Sequence, residues 1–230
     1  MEPLTAVAEG VWSIHHREFS VGGLAIGTRS NLFRLADGTL ALHAPGPLDA
    51  SHRAAILKLG DVSTIVVPNL LHHLHVGSAE AAFPEARVLA VPGIEAKQPT
   101  LRVHETFGPT PPASFAGVAK VLRLDGCPKL EEHVIFLPAS GPLLAVDLAF
   151  SLRGMTGFTR FAMWLNDAND RFGMTRMGKS QYVQDAAAAG RSVARMVDAW
   201  DIERVVVAHG EVLETGGREA VRAAWAFAGG

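Results

Sequence analysis

Val62-Ser63-Thr64-Ile65-Val66-Val67-Pro68-Asn69-Leu70-Leu71-His72-His73-Leu74-His75-Val76-Gly77 is the stretch on which the fold turns. Its first six residues are mostly β-branched and match a buried strand in length, and Pro68 stops the run. Three imidazoles follow at once. Ten histidines in 230 residues would place three in some four-residue window by chance in roughly one chain in fifteen, so the cluster needs partners from elsewhere in the chain. His72 and His75, three apart in a turn, are spaced to reach one ion. His73 points the other way in any extended segment and is expected to face solvent.

Two other strand-like runs end in a similar manner. Leu143 to Val146 precedes Asp147, and Val205 to Ala208 precedes His209-Gly210. Strand ends converging at one sheet edge would bring these groups together. Neutral imidazole and carboxylate suit zinc, iron or manganese, and a catalytic site takes about three protein ligands with one position left for water. Each residue also has a plainer reading. The histidines would bond loop carbonyls, Asp147 would cap a turn or pair with Arg153, and His209-Gly210 would merely end a strand.

Outward from this stretch, strands and helices alternate in both halves. Asn31 to Leu35 and Thr39 to His43 flank Ala36-Asp37-Gly38 as a hairpin, after a strand from Val11 to Ile14. Asp49 to Leu59 reads as a helix with Asp49 as N-cap and Gly60 as stop. Ser78 to Phe83 forms a short helix closed by Pro84, and Arg87 to Val91 the next strand. Residues 97 to 114 read as a long surface loop, a length that is often functional. Strands resume at Ala119 to Leu124, His133 to Leu137 and Leu143 to Val146, the last two as a second hairpin. Residues 150 to 180 carry no sustained period and read as irregular or short-helical cover. Their Met, Phe and Trp side chains supply core or homodimer packing, or line the mouth of a site. Ala186 to Trp200 has the clearest helical stripe, and Gly217 to Phe227 closes the chain as a helix.

Composition narrows the function classes. With 48% hydrophobic and 19% charged residues the chain is an ordinary globular protein, expected to form one domain over residues 1–230. A net charge of -2 and a pI near 6.5, with scattered basic residues, leave no footprint for nucleic acid or an anionic membrane. No apolar stretch approaches the ~20 residues of a membrane span, and the first ten residues lack signal-peptide character, so a cytoplasmic location is expected. Cys127, the one cysteine, rules out an internal disulfide and a thiolate-rich metal site. The glycine-rich segment from Val21 to Gly27 lacks the strand and helix of a dinucleotide fingerprint, and Ser140 sits in no nucleophile elbow.

The chain resembles the metallo-β-lactamase fold superfamily, whose strand-loop motif is His-x-His-x-Asp-His. Aligning His75 with the closing histidine puts His72 on the second one, while Leu70 and Leu74 occupy the first-histidine and aspartate positions. Leu-Leu-Ala-Val-Asp147 is similar to the family's bridging-aspartate segment, and Val-Val-Val-Ala-His209-Gly to its final histidine. The middle histidine has no counterpart near Lys129 and Leu130, where Glu131, Glu132 and His133 stand. His43-Ala44-Pro45 replaces the family's Asp-x-Gly turn. Together with Gly38 to Pro45, Pro68-Asn69 and Phe83-Pro84-Glu-Ala, the pattern looks like a divergent branch of that superfamily with an incomplete metal-binding motif.

The resemblance implies an α/β fold, a four-layer αββα sandwich. It further implies a metal-dependent hydrolase using one metal-activated water, with His72, His75, Asp147 and His209 holding one Zn, Fe or Mn. His43, His73, Glu132 and His133 would surround them. The expected partner is a small-molecule substrate such as a phosphoester, thioester or lactone, with a homodimer as the assembly. The rival reading is a metal-free pseudoenzyme that binds a small molecule or a protein, with Leu70 and Leu74 packed on the cleft floor. A redox role with iron and a flavin partner is a third.

Overall fold

The computed structural model describes residues 4–229. In the first half β1 (Leu4–Ala8), β2 (Val11–His16), a small hairpin of β3 (Ser20–Val21) and β4 (Leu24–Ala25), β5 (Thr28–Arg34) and β6 (Leu40–His43) precede helix α1 (Ala50–Leu57). Then come β7 (Val62–Val67), α2 (Val76–Ala82), β8 (Arg87–Ala90) and β9 (Glu105–Thr106). The second half runs β10 (Lys120–Arg123), β11 (His133–Phe136), β12 (Pro142–Leu144), β13 (Phe150–Leu152), α3 (Gly157–Leu165), β14 (Arg171–Gly173), α4 (Arg176–Tyr182), α5 (Ala186–Ala199), β15 (Arg204–Val206) and α6 (Gly217–Ala224).

Seven strands form one sheet in the order β1-β2-β5-β6-β7-β8-β9, and four form another in the order β10-β11-β12-β15. The larger sheet is antiparallel from β1 to β6 and parallel from β6 to β9. That mixture follows from the connections: tight turns join the early strands, whereas α1 and α2 carry the chain back between β6, β7 and β8.

Period-two alternation sorts the strand residues into layers. Phe33, Val66 and Leu89 of the larger sheet pack with Ile135, Leu144 and Val206 of the smaller one, forming the inter-sheet core. The opposite face of the larger sheet, with Leu32, Ile65, Val67 and Val88, buries Ile56 of α1 and Ala79 of α2. On the outer face of the smaller sheet, Val134, Phe136, Val205 and Val207 pack against Val193, Val197 and Trp225 from the C-terminal helices. The result is the αββα sandwich. Because β7 is covered on both faces, it reads as a continuous apolar run.

Local signals hold the helices in place. Asp49 caps α1 by accepting from the backbone N–H of Ser51 and His52, each at 2.8 Å. Asp185 caps α5 through Ala188 N–H at 2.9 Å.

Two stretches differ from the sequence expectation. The segment from 97 to 114 is not surface alone, since it delivers Phe107, 4% exposed, into the inter-sheet core. Residues 150 to 180 hold the short helices α3 and α4, within the expectation, but also a β13–β14 ladder that it lacked. There Met163 and Met174 are buried, while Phe158, Phe161 and Trp164 of α3 point outward. Among the described residues no helix is long and apolar enough to cross a membrane.

Candidate metal centre

Three chain segments meet at one edge of the sandwich. Beyond β7, Pro68 accepts from His133 N–H and Leu70 N–H donates to Leu130, both at 2.9 Å, so the β7 exit is stitched to the entry of β11 in the other sheet. The turn after it is organised by Asn69. Its Oδ1 accepts from the backbone N–H of Leu71 at 3.0 Å and of His72 at 2.8 Å, an Asx-type turn that projects His72 inward.

Asp147 arrives past the end of β12. Its backbone N–H donates to Glu132 Oε2 at 2.9 Å, and that of Val146 to Glu132 Oε1 at 2.7 Å. Glu132 therefore clamps the aspartate's backbone from behind, and the Trp225 indole secures the next residue by donating to Leu148 O at 3.0 Å. Asn69 Nδ2 donates to Asp147 Oδ2 at 2.8 Å, so one side chain orients both the turn and the carboxylate.

His209 follows β15. Its Nδ1 lies 2.7 Å from the Gly27 carbonyl, which fixes the proton on Nδ1 and leaves Nε2 with a free lone pair. Phe150 stacks on the ring at 5.1 Å. Arg29 anchors the loop on both sides of this histidine, donating to Val207 O at 3.2 Å and Gly210 O at 2.7 Å.

His72 Nε2 lies 3.4 Å from Asp147 Oδ2, and His209 Nε2 lies 3.5 Å from Asp147 Oδ1. One ligand atom from each of the three residues falls within 4.8 Å of the others. The imidazoles approach opposite oxygens of the carboxylate, each near the ~3.3 Å edge of a tetrahedron with bonds of ~2.0 Å, so a small adjustment of the three residues would close them on a single divalent ion. Asp147 and His209 side chains are only 6% exposed, against 12% for His72, so the group opens outward on the His72 side.

Electrostatics set the two neighbouring carboxyls apart. Burial pushes Asp147 up, but its contacts with His72 and His209, each cationic only when protonated, outweigh that and hold the carboxyl below the ordinary range. Burial, then the Asp147 charge, push Glu132 up to about 8, against the pull of backbone N–H groups from Val146, Asp147 and Leu148.

The other sequence candidates lie apart from this triad. His75 occupies the N-cap position of α2 without a side-chain capping bond and lines the same cleft, its ring 5.8 Å from Phe19 and its buried Nε2 without a hydrogen-bond partner. His43 is fully buried at the end of β6, with Nδ1 beside Asn31 Nδ2 at 3.3 Å and a buried Nε2 likewise unpartnered. Burial, then His72, lower its pKa to about 3. His73 is half-buried rather than free in solvent, bonded through Nδ1 to Gln98 Nε2 at 2.9 Å. His133 stacks on Phe107 at 4.6 Å and lines a separate depression. Leu74 is 63% exposed, at the cleft mouth rather than its floor. Burial pushes the Cys127 thiol up to about 12, which makes it an inert core residue.

Sequence reading missed Asn69 as an organiser, although Pro-Asn at a strand end is an Asx-turn signal. It also missed Arg29 and Gly27, whose partners lie some 180 positions away in the chain.

No protein-family model matches the chain, and no curated protein is similar to it in sequence. Solved structures do match over nearly the whole length. The DIM-1 metallo-β-lactamase is 12% identical with a TM-score of 0.68, the alignment covering 99% of this chain and 97% of that one. A metallo-β-lactamase from Pontibacter korlensis is 13% identical with a TM-score of 0.68, covering 98% and 99%. FIM-1 from Pseudomonas aeruginosa, solved in its mono-zinc form, is 13% identical with a TM-score of 0.61, covering 99% and 96%. The chain has the metallo-β-lactamase fold with a divergent sequence.

Proposed function

We propose that the protein is a metal-dependent hydrolase in which His72, Asp147 and His209 hold one divalent ion, with zinc the best match to two imidazoles and a carboxylate. The observation that carries this reading is the convergence of three ligand atoms within 4.8 Å of one another, in a group whose His209 proton is committed to the Gly27 carbonyl. The ion would supply Lewis acidity and lower the pKa of water toward ~7. The chain's own residues do the rest. Asn69 and Glu132 hold Asp147 in orientation and Arg29 holds the His209 loop. His75 lines the cleft beside them and offers a polar contact to a bound substrate.

The mono-zinc form of FIM-1 gives precedent on this fold for a site with one ion. The metal-free binding module is the weaker reading, because Leu74 lies at the rim and the histidines converge on Asp147 instead of turning outward.

Elemental analysis of protein purified without chelator tests the proposal, alongside a His72→Ala/His209→Ala double variant. Near-stoichiometric zinc, iron or manganese in the wild type and its loss in the variant is the expected result. No metal in either, even after incubation with these ions, would sink it.

A further inference from the structure

The cleft above His72, Asp147 and His209 has a volume of about 290 Å³. Phe19, Val21, Ile26, Leu71, Leu74 and Met177 are among its lining residues, and Val21, Leu74 and Met177 are exposed. No lysine, arginine or glutamate is among its described lining residues. Apart from Asp147 and the histidines, the ionisable group facing it is Tyr182, which burial, then the Asp147 charge, push upward and keep neutral.

Three neighbouring cations face elsewhere, Arg176 bordering a separate depression with Asp167. Arg29 is engaged by Ser13, Val207 and Gly210 and borders a different depression with Glu211. Lys179 lies over the Phe227 ring at 4.6 Å. An anionic group entering this cleft away from the ion site would lose its hydration and gain no ion pair, and it would face the Asp147 charge. A neutral apolar group would lose nothing polar and cover Phe, Leu and Met surface.

We infer that the cleft selects a neutral, apolar acyl compound, an ester, thioester or lactone of an aliphatic or aromatic acid, and disfavours compounds that carry a carboxylate or phosphate. The acyl class rests on the hydrolase reading above, whereas the preference for neutral over anionic ligands rests on the lining alone. In hydrolysis the acyl carbon–oxygen or carbon–sulfur bond breaks, the hydroxyl of water joins the acyl carbon and its proton goes to the leaving atom. The acid product then ionises and becomes the species the lining holds least well, which favours its release.

The test uses two probes of similar shape, neutral 4-phenylbutan-2-one and anionic 4-phenylbutanoate. Both are titrated by ligand-observed NMR into the full chain at pH 7, as purified and after chelation. In the chelated protein the ketone should bind at least ~10-fold more tightly than the carboxylate. Met177→Lys, at a rim position 46% exposed and checked for folding by circular dichroism, should shift that ratio toward the carboxylate by ~5-fold or more. A carboxylate that binds the chelated wild type as tightly as the ketone, or no binding of either at millimolar concentration, overturns the inference. Failure of the hydrolase reading looks different: a metal-loaded protein that binds the ketone and cleaves no p-nitrophenyl ester loses the activity and keeps the ligand preference.

Discussion

Asn69 has no exposed surface, and both ends of its amide are engaged: Oδ1 by the N–H groups of Leu71 and His72, Nδ2 by Asp147. Truncation to alanine leaves two turn donors without an acceptor and takes the amide donor from a buried carboxylate. Asn69→Ala should therefore destabilise the chelated protein by ~2 to 3 kcal/mol and weaken metal affinity by ~10- to 100-fold, as loss of a ligand's support does. Urea unfolding and competition with a chromophoric chelator read the two effects separately; an unchanged urea midpoint would remove Asn69 from this role. At this scale the sequence was informative where chemistry is local. His72, Asp147 and His209 each stand just past a strand-like run, so their meeting could be read from one-dimensional order. His75 could not be placed that way. The turn passes into α2 at Val76, and that carries the His75 ring toward Phe19 instead of into the triad.

Among elements, the His209 loop shows why a glycine must follow the histidine. Gly210 has φ +98°, and a Cβ there would lie 2.1 Å from the Ser151 carbonyl oxygen, where β13 bridges to the loop. Both obstacles are backbone, so no rotamer change relieves them. Gly210→Ala should cost more than ~3 kcal/mol and displace His209, with metal lost in parallel. A variant that unfolds at the wild-type midpoint and retains metal would refute this close approach. The bridge to Ser151 was invisible in the sequence because β13 and β14 have three residues each, too few for a period-two pattern, and their pairing spans intervening helix α3. The β5–β6 hairpin and β7 were legible for the opposite reason. Asp37-Gly38 supplies its own turn, and Val62 to Val67 advertises burial on both faces.

Over the whole molecule, the alternation of strands and helices with the family resemblance was enough to expect the sandwich, whereas contacts between its halves, such as Arg29 to Gly210, join residues too distant for any local pattern to pair. The same packing of distant elements sets the response to acid. His43 is sealed at the end of β6, and burial, then His72, hold it at about 3. Burial, then neighbouring cationic groups, also lower His15 to about 3 and His16 to about 4. In the unfolded chain all three titrate near 6.5. Below that pH the unfolded state binds protons that the folded state refuses, so stability falls as pH drops from 6.5 toward 4. Glu132 acts in the opposite sense. With its folded pKa raised to about 8, it keeps a proton that the unfolded chain loses above ~4.5, so stability declines as pH rises from there to 8. Three histidines outweigh one carboxyl below 6.5, and the carboxyl alone acts above it, which puts the stability maximum of the metal-free protein near pH 6.5. Urea midpoints in chelator at pH 5, 6.5 and 8 should peak at the middle value. His43→Asn, which removes the titration but keeps a polar side chain beside Asn31, should flatten the acid limb by about 1.4 kcal/mol per pH unit. An acid limb of unchanged slope in that variant would mean that His43 is protonated in the folded protein well above pH 3.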